Sequence, residues 1–204
     1  MVHSVLVLSF LASTGYEIVG EETLLFVQVY KDRSTLLSSM SHDHVVRAGS
    51  VSGTIMVDPD FASCAAAILV PVSELHADEP EVRKRLNLPT DLDVDDREQV
   101  KRNMLSEDQL DAAHFPTVVI EVNACKVEKS TGRVNLIGFI TIRGKTRNLS
   151  VVAEITLEDD LLRARGAFVR KHTEFGFKPY SAALGSMKNL DEIGFEFDAV
   201  VKRQ

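Results

Sequence analysis

Residues 134 to 158, VNLIGFITIRGKTRNLSVVAEITLE, alternate apolar and polar side chains at period two on both sides of a short turn around Gly144 and Lys145. A half-buried strand requires that period, because successive side chains point to opposite faces of a sheet. On the first strand Val134, Leu136, Ile140 and Ile142 share one face, with Asn135, Ile137, Phe139, Thr141 and Arg143 on the other. On the second, Leu149, Val151, Ala153, Ile155 and Leu157 align. An antiparallel hairpin with one apolar face follows, and that face must be buried against something.

The pattern recurs along the chain. TLLFVQVYKD (23 to 32), STLLSSM (34 to 40), GSVSGTIMVD (49 to 58), SCAAAILVPVSEL (63 to 75), FPTVVIEVNACKVE (115 to 128), LLRARGAFVRK (161 to 171) and EIGFEFDAVVK (192 to 202) all read as strands. Pro71 marks an edge or bulge, since proline cannot donate to a ladder. Eight or so short antiparallel strands in one domain remove their edges by closing into a barrel, so the expected class is an all-β, eight-stranded antiparallel barrel with an interior. Residues 78 to 113 are the exception. They are charge-dense, and DVDDREQVKRNML places acids before bases, the polarity the helix dipole favours. Val94, Val100 and Met104 or Leu105 give one modest apolar stripe. Ser106 is a candidate N-cap for a further turn, so two or three short helices are expected between strands, lying over a barrel mouth or flank.

A chain of 204 residues fits one domain. Its net charge of −7 opposes nucleic-acid binding, which needs a concentrated basic surface. Cys64 and Cys125 each lie in an apolar run, which favours buried free thiols over a disulfide. The apolar run Val5 to Ala12 lacks a preceding Lys or Arg and is too short to span a bilayer, so no integral membrane segment is expected. Residues 1 to 22 form an N-terminal extension, either an extra strand or a weak signal-like segment, and 23 to 204 form the barrel.

Nucleophile-elbow, phosphate-loop, dinucleotide and C-x-x-C motifs are absent from the sequence. SSMSHDHVVRAG does offer His42 and His44, which on a strand would share a face. Two imidazoles need a third ligand to hold a metal, and His76, His114, His172 and the acids stand at no telling spacing. The other informative stretch, RKHTEFGFKPYSAALG, mixes Phe175, Phe177 and Tyr180 with Arg170, Lys171 and Lys178. It reads either as a loop offering cations and a hydroxyl to a head group, or as one whose aromatics plug the barrel end.

SHDHVVRAGSVSGTIMVD, LDAAHFPTVVIEV, GRVNLIGFITIRGKTRNLSVVAEI and RGAFVRKHTEFGFKPYSAALGSMKNLDEIGFEFD, in this order, resemble the YceI-like, polyisoprenoid-binding family from about Thr23 to Val201. The resemblance implies a lipocalin-like barrel that binds, sequesters or carries a long apolar lipid without catalysis. No cofactor is implied beyond a bound polyisoprenoid or quinone-like lipid, and the partner is a long-chain apolar small molecule. Expected ligand-facing residues are Ile120, Val122, Phe139, Ile140, Ile142, Phe168, Phe175 and Phe195, with His42, His44, Arg170, Lys178 and Tyr180 as polar groups at the mouth. The branch beginning TLLFVQVYKD often lacks an exported leader, which implies a cytoplasmic location; a periplasmic or secreted one follows if residues 1 to 20 act as a signal. A homodimer through an exposed sheet face fits the same reading. The alternative is an enzyme, metal-dependent or His-based, acting on a small hydrophobic substrate through His42 and His44.

Overall fold

The computed structural model describes residues 14–58 and 60–204. The run Val5 to Ala12 therefore lies outside the described residues. The elements are β1 (Thr14–Ile18), β2 (Leu24–Lys31), β3 (His44–Ala48), β4 (Ser52–Val57), β5 (Cys64–Pro71), β6 (Leu75–Ala77), α1 (Pro80–Arg85), α2 (Val94–Leu105), β7 (Thr117–Val127), β8 (Val134–Ile142), β9 (Lys145–Glu158), β10 (Leu161–Lys171), β11 (Ser181–Ala182) and β12 (Met187–Arg203).

Eight strands close into an antiparallel ring in the order β1-β4-β5-β7-β8-β9-β10-β12, and β12 returns to β1. β12 runs for 17 residues and serves two partners. Its first half pairs with β2, from which β3 and β6 continue outward, and its last residues pair with β1. Thr14–Ile18, inside the segment read as an extension, is thus a member of the ring. The β8–β9 hairpin turns at Arg143 and Gly144, both at positive φ, the left-handed pair that two-residue hairpins use. Gly138 on β8 faces the bulge where β7 shifts register between Val122 and Ala124, and a Cβ there would strike the Glu121 carbonyl. Only glycine lets the two backbones approach so closely.

Inward positions keep the expected alternation. Val134, Ile140, Ile142, Leu149, Val151 and Ala153 are buried. One end of the barrel is filled by Tyr16, Val57, Cys64, Val122, Leu162 and Val201. The other is filled by Ile140, Ile142, Phe175 and Phe177.

Three expectations are corrected. Residues 34 to 40 form no strand: a turn leads into a 3-10 helix, Ser38–Met40, because Lys31 Nζ donates to the Ser38 and Ser41 carbonyls and draws the segment back on itself. Ser106 ends α2 instead of starting a helix, its hydroxyl donating to the Asn103 carbonyl. The N-cap belongs to Asp93, which accepts from the Asp96 amide at 2.8 Å. Finally, Cys64 and Cys125 form a disulfide between the neighbouring strands β5 and β7, with Cα atoms 5.6 Å apart. Their apolar flanks reported burial correctly, but pairing depends on the register of two strands 61 positions apart in the sequence.

Candidate functional site: an apolar cavity in the barrel

The barrel encloses a cavity of about 340 Å³ lined almost wholly by aliphatic and aromatic side chains. That volume lies at the lower end of the range for small-molecule sites. Small inward residues make the room. Ala66 on β5, Ala164 on β10 and Ala199 on β12 stand where larger side chains would meet across the barrel. Phe168 and Phe195, opposite each other on β10 and β12, stack at 4.8 Å between ring centroids and form a flat part of the wall.

Of the expected residues, Ile120, Val122, Ile140, Ile142, Phe168, Phe195, His44 and Tyr180 all line this space. Phe139 does not. It alternates out of phase with Ile140 and lies exposed on the outer face of β8. Phe175 is fully buried but packs behind the wall against Ile140, Ile142 and Phe177, plugging the barrel end. The 3-10 turn His172–Phe175, ended by Gly176 at φ +82, points both phenylalanines inward. Arg170 lies 5.6 Å from the Phe168 ring centroid and donates to the Asn148 carbonyl at 2.7 Å, outside the cavity lining. Lys178 is exposed at the rim, where its carbonyl accepts from Gln109 Nε2.

His42 and His44 are not presented together. β3 begins at His44, so strand alternation never reaches His42. His44 lines the cavity, and its Nδ1–H donates to Asp78 Oδ2 at 2.7 Å. Asp78 is completely buried, accepts the Val45 amide at 3.0 Å and pairs with buried Arg83 of α1 at 2.6 Å. Burial alone would raise the Asp78 pKa, but the bond and charge of His44, the Val45 amide and Arg83 together hold it below the ordinary carboxylate value. Arg83 also donates to the Pro89 and Asp43 carbonyls, while its Nη2 has no partner among the described residues. Asp43, between the two histidines, accepts the Lys31 amide at 2.8 Å and pairs with Arg33. The S-H-D-H run therefore ties β2, β3 and the helical insertion together. No three His, Cys, Asp or Glu residues are placed to hold a metal ion among the described residues.

The insertion, expected over a mouth or flank of the barrel, does cover one side of the opening, but the residues that line the cavity there, Val100, Asn103 and Met104 of α2 followed by Gln109 and Leu110, were not among those expected. The stripe Val100 and Met104 was readable as i, i+4; what it covers depends on long-range packing. His172, weighed above only as a possible third metal ligand, is buried and lines the cavity. Its Nδ1–H donates to the Asp191 carbonyl at 3.0 Å, and its ring meets Phe177 edge-on. Burial pushes its pKa down, the contact with Asp191 opposing.

A pH effect follows from that shift. As pH falls through about 6.5 the unfolded chain takes up a proton at His172 before the folded one does, so stability is lost from there downward. The melting temperature of His172→Gln should vary less between pH 7.5 and 5.5 than that of the wild type. Comparing the two separates His172 from His114, whose pKa Asp111 raises and whose contribution has the opposite sign. Parallel pH profiles would refute the assignment.

The closed antiparallel ring around an apolar interior defines the lipocalin-like class of binding barrel. A YceI-like domain model matches residues 28–201, and the chain belongs to that family. No curated protein matches it. Among solved structures, BcnA of Burkholderia cenocepacia superposes with a TM-score of 0.66 at 14% identity, covering 90% of this chain and 98% of that one. The Campylobacter jejuni YceI protein gives 0.51 at 15% identity over 75% of this chain and 83% of its own. A mutant of the latter, crystallised with a monobromobimane guest, gives 0.54 at 14% identity, over 78% and 84% of the two chains. At these identities the likeness is one of fold.

Proposed function

We propose that the protein binds a long apolar molecule of the polyisoprenoid kind in its barrel and sequesters or carries it without catalysis. The apolar cavity carries this reading, since each methylene moved from water into such a space contributes roughly 0.8 kcal/mol. Among the described residues no Lys or Arg lines the cavity, His44 is engaged by Asp78, and Glu196 accepts from Gln28 at 2.8 Å. An uncharged end group, such as a hydroxyl or a quinone carbonyl, suits that lining better than a phosphate, which would enter without a counter-charge. Asn103, Gln109, Tyr180 and Asn189 are the groups at hand for it. Native mass spectrometry of the protein with an added prenyl alcohol tests the proposal, with Ala164→Phe, which fills the cavity, as the control.

A further inference from the structure

The end of the barrel where Tyr180 meets both cavity and solvent carries apolar side chains that none of the described residues covers. Leu36 is 86% exposed, Met40 65%, and Leu184 fully exposed. They belong to two segments held side by side, since the Leu37 amide donates to the Ser186 carbonyl at 2.9 Å and the Asp32 amide to that of Lys188 at 2.7 Å. The second segment is a short hairpin, β11 against the start of β12, whose turn holds Ala183, Leu184 and Gly185 all at positive φ. Placing a leucine in the left-handed region and leaving it in water is unfavourable on two counts, and such a residue points to a partner.

Charge says which partner. Residues 31–44 and 178–190 hold four cations, Lys31, Arg33, Lys178 and Lys188, against two carboxylates, Asp32 and Asp43, in a chain whose net charge is −7. Lys178 and Lys188 are exposed; Arg33 stays largely exposed although it pairs with Asp43. A positive rim around protruding leucines on an otherwise acidic molecule orients that end toward an anionic surface with an apolar interior.

We infer that the rim formed by Leu36, Met40 and Leu184 docks on the surface of a bilayer containing anionic lipid. Docking there would seat the cavity mouth, at Tyr180, against the phase from which an apolar ligand comes. The docking goes beyond ligand binding and rests on that reading only for its purpose.

Flotation with phosphatidylcholine vesicles, with and without phosphatidylglycerol, tests the inference. The wild type should float with the anionic vesicles and lose them as NaCl is raised. The triple variant Leu36→Ser, Met40→Ser, Leu184→Ser should bind at least about tenfold more weakly, its urea midpoint unchanged. Lys178→Glu with Lys188→Glu should erase the preference for anionic vesicles. A wild type that stays in solution with both vesicles, or a triple variant that floats as well as the wild type, would overturn the inference. Prenyl-alcohol binding by the triple variant, measured without vesicles, separates the two proposals: its loss in the wild type as well would refute the cavity reading and leave docking standing.

Discussion

Asp78→Ala is expected to lower the folding free energy by about 3–5 kcal/mol, the usual cost of removing one partner of a buried ion pair. The side chain removed is wholly buried and answers three groups at once: Arg83, His44 and the Val45 amide. Arg83 would be left as a buried cation whose Nη2 already lacks a partner among the described residues. Asp78 also sits at φ +53, which aspartate tolerates better than alanine, so the backbone adds to the loss. Asp78→Ala/Arg83→Met should regain part of it, because an apolar replacement of both charges is often close to neutral. The loss should also be local. Asp78 and Arg83 fasten the start of the insertion to β3, so amide exchange across residues 80–105 should rise first, loosening the wall that α2 contributes. The depressed pKa gives the matching pH effect: the stabilisation is present above the ordinary carboxylate range and is lost as pH falls through the lower folded-state value. A urea midpoint for Asp78→Ala within experimental error of the wild type would remove the clamp from the account.

Reduction of the Cys64–Cys125 bond is the second large effect. The pair closes a loop of sequence separation 61, for which the chain-entropy relation gives about 4 kcal/mol. Cys64 is buried in the cluster that fills the disulfide end of the barrel, against Tyr16, Val57 and Leu162, so the bond pins β5 to β7 where the cavity floor rests. Urea unfolding with and without reductant should show a loss on that order, and the native protein should resist alkylation until reduced. Rapid alkylation of both thiols in the untreated native protein would contradict the pairing.

Much of the barrel was legible because alternation is a local signal. The two faces of β8 and β9 could be sorted from their residues alone, but which face turns inward could not; Ile120, Val122, Ile140, Ile142, Phe168 and Phe195, expected at the ligand, all line the cavity. Phe139 failed the same test: its odd position on β8 opposes Ile140, and its aromatic character could not reverse the pleat. What remained hidden depends on contacts distant in sequence. His44 was expected at the mouth of the cavity, but its partner, Asp78, lies 34 positions away on the far side of β6, a pairing no local pattern shows. STLLSSM has strand-like composition, but the Lys31 ammonium curls it into a 3-10 turn. The helical insertion showed its charge polarity and stripe but not its N-cap, and which residues of α2 reach the opening follows from its packing beside β6.

The most direct test of the central claim is native mass spectrometry of the freshly purified protein, followed by the same measurement after incubation with a prenyl alcohol. The account predicts a discrete mass excess matching one apolar molecule, released by collisional activation and reduced or abolished in folded Ala164→Phe. A wild type that carries no such excess and takes up no added prenyl alcohol, or an Ala164→Phe variant that takes it up as readily, would contradict it.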